Sequence, residues 1–282
     1  MKLVRLILLW LLAIAAQPAW ADSASDLLGL QQQLHSLVQS KSSDVGVAAL
    51  DLTSGTGISV HGSDYFPMAS TVKIAVAATY LREIEAGHRS LDTVVSGSQT
   101  AAQLMRKMLV HSDNHATDLL LADLGGPKTV QTWLSQNGVK GLRIDRTISQ
   151  LLTDKRDLYD HRDSATPMAM VDFLRRIDNG ELLQPQSKRY LLNLMAQCMT
   201  GRNRMKWLLP EGTPVEHKTG TLNGLSDDVG FITLPNGHRI AIAVFARGGS
   251  DRPRTIAEAA RAVYDGFLSM VTYPFSAAVT GR

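Results

Sequence analysis

The chain has 282 residues, a formal net charge of +3 and a single cysteine, Cys198. One thiol excludes an internal disulfide, and a mild charge with no block of Lys and Arg interleaved with aromatics argues against nucleic acid as a partner. The histidines are scattered. His111 and His115 stand four apart without a third ligand nearby, so no metal is expected.

Taken in order, the chain opens on Lys2 and Arg5, an apolar run from Leu6 to Ala16 too short for a bilayer, and a small-x-small site at Ala19-Trp20-Ala21. That is the pattern of a secretory signal peptide over residues 1–21, cleaved after Ala21. It predicts a periplasmic or secreted mature chain without stable membrane insertion. The remaining ~260 residues suffice for a large core. Leu27, Leu28, Leu30, Leu34 and Leu37 mark a helix over Asp26 to Val38. Val45 to Leu52 and Ile58 to His61 read as a hairpin around Thr53-Ser54-Gly55-Thr56-Gly57. The spacing then predicts helices over Thr71 to Ala86, Thr100 to Val110, Asn114 to Leu124, Lys128 to Gln136, Met168 to Ile177 and Ser187 to Met199. Glycines or prolines punctuate them. Ile144 to Asp163 has no clear period and is expected to be a loop. Short strands follow at Pro214 to Lys218, Val229 to Leu234 and Arg239 to Phe245. The last two are joined by Pro235-Asn236-Gly237-His238, and a helix over Arg254 to Met270 closes the chain. The expected fold is α/β (α+β): an antiparallel sheet flanked by N- and C-terminal helices, with an all-helical lobe inserted. The sheet lobe is drawn from about 22–65 and 206–282, and the helical lobe from about 66–205, as one catalytic domain and a monomer.

Three short motifs carry chemistry. Ser70 and Lys73 lie three apart at the start of an apolar helix, so hydroxyl and amine share a face. A serine is a poor nucleophile until a base takes its proton. For lysine to serve near pH 7 its pKa must fall by ~3 units, roughly 4 kcal/mol, through burial or a neighbouring cation. Ser112-Asp113-Asn114 sits between two helices, where Ser112 presents a hydroxyl and Asn114 both a donor and an acceptor. Lys218-Thr219-Gly220-Thr221 sits on a strand, where Lys218 supplies the second cation and Gly220 allows close approach of a substrate backbone. Each has a plain structural alternative when taken alone: two helix caps and an exposed strand. Cys198 reads as a buried core thiol.

In this order the three motifs resemble the penicillin-recognising serine hydrolases, and most of all the class A β-lactamase branch. The resemblance covers nearly the whole mature chain. Arg162 to Met170 is similar to the segment leaving that family's Ω loop, and Arg146 lies where the arginine that closes the loop is expected, able to pair with Asp163. The resemblance implies a β-lactamase/transpeptidase-like fold and a small-molecule substrate, a β-lactam or a D-alanyl peptide. It implies that Ser70 attacks the carbonyl and Lys73 takes its proton. Ser112, helped by Lys218, protonates the leaving nitrogen, and Asn114 holds the substrate amide. The backbone N–H groups of Ser70 and Thr221 would form the oxyanion hole, and Thr219 and Thr221 would meet the substrate carboxylate.

The sequence departs from that family in three places. Counting from Arg146 puts Ile148 where the Ω-loop glutamate belongs and Leu152 where its asparagine belongs. A positioned base contributes about 10²–10⁴-fold, so acylation is expected to survive and deacylation to be slow. Asp154, Asp157 and Asp160 share the loop and are candidate substitutes. Between Ser70 and Ser112 the chain is roughly eighteen residues shorter than usual, which predicts a more open cleft. The arginine expected after the Lys-Thr-Gly strand is replaced by Ser226-Asp227-Asp228, and Arg204, placed by count on the preceding helix, is the candidate replacement. Three functions remain open: a β-lactamase, a D,D-peptidase that manages without the glutamate, and a wall-fragment binder without turnover.

Overall fold

The computed structural model describes residues 19–154 and 157–272. The basic and apolar parts of the expected signal peptide lie outside them. Helix α1 (Ala19–Gln39) leads into the hairpin of β1 (Asp44–Asp51) and β2 (Gly57–Val60), with Val47 opposite Val60. A short β3 (Phe66–Pro67) and a 3-10 turn (Ala69–Val72) then enter α2 (Lys73–Glu85). A small hairpin, β4 (Val94–Ser96) and β5 (Gln99–Thr100), precedes α3 (Ala101–Val110), α4 (Asn114–Leu124), α5 (Pro127–Gln136) and α6 (Ile148–Thr153). Next come β6 (Ser164–Ala165), paired with β3, and helices α7 (Pro167–Asp178) and α8 (Pro185–Ala196). The chain returns through β7 (Val215–Leu222), β8 (Leu225–Thr233) and β9 (Arg239–Arg247) to α9 (Arg252–Thr272).

The main sheet is antiparallel with order β2-β1-β9-β8-β7, so strands from the two ends of the sequence meet at the β1–β9 pair. Alternation along β9 divides the core. Ile240, Ile242 and Val244 pack with Leu30 and Leu34 of α1 and Ile256 and Val263 of α9. Ala241, Ala243 and Phe245 face the helical layer with Ile74, Val76 and Phe173. Side chains on a strand alternate sides, and a strand buried on both faces is apolar throughout. This is the mixed architecture expected, with terminal helices on one face of the sheet and the inserted helices on the other.

Several boundaries differ from expectation, each for a local reason. The segment 144–163 is not wholly irregular: α6 forms because Thr147 and Gln150 cap one another reciprocally. Asp118 of α4 adds two more acceptors, taking the Ile148 N–H at 2.7 Å and the Ser149 N–H at 2.8 Å. Strands β7 and β8 run on through Thr219–Leu222 and Leu225–Asp228. Aspartates are depleted in strands, but here Asn223-Gly224 turns the chain in two residues, with Gly224 at φ 76° and Leu222 opposite Leu225. Helix α8 ends at Ala196, before Cys198. The β4–β5 hairpin carries no strong alternation in sequence.

Candidate active site

The 3-10 turn Ala69–Val72 carries Ser70. Thr71 fastens it, its hydroxyl donating to the Met68 carbonyl at 2.7 Å, while the Met68 N–H donates to Asp163 O at 2.9 Å. Ala69 has φ 46° and Ser112 φ 58°. Non-glycine residues held there cost about 1–3 kcal/mol each and persist where the surroundings over-determine them. Ala69 directly precedes the predicted nucleophile Ser70, and Ser112 is itself a predicted catalytic serine.

Gly220 explains how strand and turn fit. A Cβ on it would stand 2.7 Å from Met68 O, 2.6 Å from Asp227 Oδ2 and 3.1 Å from Ala69 Cβ. The glycine therefore lets β7 lie against the turn that bears Ser70. The sequence reading assigned its smallness to substrate approach; the nearest backbone is instead the protein's own. Strand β7 ends the sheet, so among the described residues its outer edge has no strand partner, the arrangement by which extended ligands add to a sheet.

Two amines meet on one hydroxyl. Lys218 Nζ donates to Ser112 Oγ at 2.9 Å and to Thr219 O at 2.9 Å. Lys73 Nζ donates to the same Oγ at 3.2 Å, to Ser112 O at 2.7 Å and to Asn114 Oδ1 at 2.7 Å. Both lysine side chains are fully buried. Burial first, and then the Lys218 charge, bring the Lys73 amine down to about 7 against the pull of Asp113 and Asp118. Its place in the first turn of α2, where the helix dipole disfavours a cation, acts in the same direction. Burial also brings Lys218 down to about 8, opposed by Cys198 and Asp228.

Ser70 and Lys73 do not hydrogen-bond to one another among the described residues. An ammonium has three protons, and Ser112 O, Ser112 Oγ and Asn114 Oδ1 take all three. The i, i+3 spacing is right, but the amine is turned toward the Ser-Asp-Asn connector. Catalytic hydrogen bonds are often long in a free enzyme and tighten with substrate.

Ser70, Ser112, Asn114, Thr219 and Thr221 line one cleft of about 370 Å³ together with Thr200, Gly201 and Arg204. Thr200 was not singled out in the sequence; its hydroxyl lies 2.5 Å from that of Thr219. Arg204 is also not on a helix as counted, but in the irregular segment after α8. It is buried, donating from Nη1 to Gly220 O at 2.7 Å and Asp227 O at 2.9 Å, and from Nη2 to Thr221 Oγ1 at 2.7 Å. A fixed guanidinium beside two threonine hydroxyls is chemistry that can accept a carboxylate.

Among the described residues no acidic side chain lines this cleft. Ile148 is buried in the helical core. Arg146 closes the loop as expected, with Nε 2.6 Å from Asp163 Oδ2, and Asp163 Oδ1 accepts the N–H groups of Asp145 and Arg146. Of the candidate substitutes, Asp154 is tied to Arg146 at 2.8 Å. Asp160 is held by Arg162 down to about 2. Asp157 is exposed and accepts the Tyr159 N–H. Asp118 spends both oxygens on α6. None stands ready as a base. His111 and His115 are exposed, and among the described residues no group of three His, Cys, Asp or Glu side chains could hold a metal ion.

Comparison with known proteins agrees with the geometry. The profile of the Beta-lactamase enzyme family matches residues 29–267. β-Lactamase VEB-1 of Pseudomonas aeruginosa is 31% identical, covering 87% of this chain and 90% of that one. Extended-spectrum β-lactamase PER-1 of the same organism is 28% identical, over 83% and 86%. Among solved structures, the TLA-1 extended-spectrum β-lactamase superposes with a TM-score of 0.81 at 29% identity, over 86% of this chain and 99% of that one. A variant of a reconstructed Gram-negative ancestral class A β-lactamase superposes at 0.79 and 31%, over 86% and 99%.

Proposed function

The chain belongs to the β-lactamase enzyme family, and we propose that it opens β-lactam rings through an acyl-enzyme on Ser70 that it releases slowly. It is a serine hydrolase of the class A type. The bridging of two buried amines by the Ser112 hydroxyl, at 3.2 and 2.9 Å, is the observation that carries the division of roles.

Lys73, brought down to about 7, takes the Ser70 proton as Oγ attacks the lactam carbonyl. The oxyanion lies against the N–H groups of Ser70 and Thr221; one such donor is typically worth ~2.7–4 kcal/mol of barrier. As the C–N bond breaks, Ser112 passes its proton to the leaving nitrogen and is resupplied from Lys73 or Lys218. Asn114 holds the amide of the substrate side chain, releasing Lys73 when it does so. Arg204, Thr219 and Thr221 take the carboxylate.

Water must then attack the ester, and the count from Arg146 puts the usual loop base at Ile148, which is buried. The lysines are the remaining bases, which favours a long-lived acyl-enzyme. The same observation supports a second reading, a D,D-peptidase on cell-wall peptides. The protein acts as an exported monomer, residues 22–282 forming one catalytic unit cleaved from its leader after Ala21. No helix among the described residues is long and apolar enough to cross a membrane.

A chromogenic cephalosporin, followed by colour and by intact mass, tests this. A burst of about one equivalent per chain followed by a slow phase, with the adduct persisting, is expected from missing base catalysis of ~10²–10⁴-fold. Fast sustained turnover with no adduct would overturn slow release, and neither colour nor adduct would overturn the assignment of Ser70.

A further inference from the structure

One group of residues outside the proposed reaction is built like a reactive site. His217 precedes Lys218 on β7, so its side chain leaves the opposite face of the strand. Its ring is fully buried, and Nδ1 lies 2.8 Å from Asp228 Oδ1. Its Nε2 is buried and, apart from the Cys198 thiol, meets no hydrogen-bond partner among the described residues. The ring and the Cys198 thiol lie close enough to shift one another's protonation. Cys198 Sγ is 3.2 Å from Thr200 Oγ1, and Thr200 Oγ1 is 2.5 Å from Thr219 Oγ1, on the wall of the Ser70 cleft. Thiol, imidazole and carboxylate thus stand in the order of nucleophile, base and orienting group.

We propose that Cys198 is a modification site, which hydrogen peroxide converts to a sulfenic acid with His217 as the proton donor, and that this oxidation disables the neighbouring carboxylate site.

Burial alone would raise the thiol, but His217, Lys218 and Thr200 outweigh it and bring it down to about 6. Burial works against the His217 imidazolium, yet Asp228 and Cys198 hold it up to about 9. Both shifts favour the pair of thiolate and imidazolium, the reactive form of cysteine. The sulfur attacks one peroxide oxygen and the O–O bond breaks. Sulfur is oxidised to the sulfenic level, and the departing hydroxide takes the His217 Nε2 proton and leaves as water. Cys198 is only 8% exposed, but it is in contact with a threonine of the cleft and the oxidant is two oxygens across. The added oxygen must share the space that Thr200 Oγ1 fills at 3.2 Å. Moving that hydroxyl moves Thr219 with it, and the neutralised thiolate no longer offsets the Lys218 charge.

The test treats the whole folded protein with hydrogen peroxide at pH 7 and traps sulfenic acid with dimedone. Adducts are located by peptide mapping, and kcat/KM is followed with a chromogenic cephalosporin. With one cysteine in the chain, a single adduct is expected, on Cys198. A loss of kcat/KM of tenfold or more, reversed by dithiothreitol, should accompany it. Oxidation of the ten methionines gives no dimedone adduct and is not reversed by that thiol. Cys198→Ser and Cys198→Ala should both lose the adduct and the sensitivity. His217→Asn and Asp228→Asn, where folded, should label at least tenfold more slowly at pH 7 than at pH 9.5. Labelling that requires denaturation overturns the site. The effect on turnover rests on the β-lactamase reading, whereas the adduct does not. An adduct without loss of turnover, or equal loss in Cys198→Ser, therefore overturns the coupling to the cleft.

Discussion

Replacing Lys218 by methionine keeps most of a fully buried side chain's volume and removes its charge. Lys73 and Lys218 both hydrogen-bond Ser112 Oγ, at 3.2 and 2.9 Å, so their nitrogens are at most about 6 Å apart. At an effective dielectric of about 20, two unit charges at that distance repel by ~3 kcal/mol, or about two pH units. If Lys73 must be neutral to take the Ser70 proton, acylation in the parent rises with pH through about 7. In Lys218→Met the same limb should move up toward about 9, lowering the neutral fraction at pH 7 about fiftyfold. The assay is the rate of adduct formation by rapid quench and intact mass across pH 5.5–10. Whatever loss remains at the top of that range reports the proton path through Ser112. A limb that stays near 7 in a folded Lys218→Met protein would refute the claim that the second cation tunes the first.

Three further outcomes are expected. Ile148→Glu places a carboxylate in a buried position beside Asp118, where desolvation and like charge raise its pKa. Deacylation should speed up by ~10²-fold or more while thermal stability falls, and an unchanged release rate by mass would count against the register from Arg146. Arg204→Ala removes the guanidinium that holds Thr221 Oγ1 and the Gly220 carbonyl. Charge-assisted bonds are worth ~1.5–3 kcal/mol, so KM for a carboxylate-bearing β-lactam should rise at least tenfold, with a smaller effect on its methyl ester. Gly220→Ala puts a methyl 2.7 Å from Met68 O. Acylation should fall at least tenfold with little change in far-UV circular dichroism, and normal acylation would show that β7 does not set the Ser70 turn.

How much could be read in advance depended on whether the determining contacts were local. The Ser70–Lys73 spacing and the Thr166-Pro167 start of α7 are set by residues close in sequence and were legible, whereas the Arg146–Asp163 pair was expected only from the family resemblance. The helix α6 was not, because six residues are too few for a period and one of its caps, Asp118, comes from thirty residues away. The first half of strand β8 was hidden by Asp227 and Asp228. Both are fully buried, and burial pushes the Asp227 carboxyl well above the ordinary carboxylate range. The His217–Asp228 contact depends on the register fixed by Asn223-Gly224. The partners of Lys73 were misjudged for a different reason. The spacing shows what an amine can reach, and only the fold shows which acceptors hold it.

The central claim is that Ser70 is acylated quickly and freed slowly because no base stands behind it. Rapid-quench intact mass on the parent enzyme with a cephalosporin, followed by tryptic mapping, measures both rate constants and the site together. The account predicts one acyl group, on the peptide containing Ser70, with formation at least ~10²-fold faster than loss and no adduct in Ser70→Ala. Acyl groups on another residue, or release as fast as formation, would contradict it.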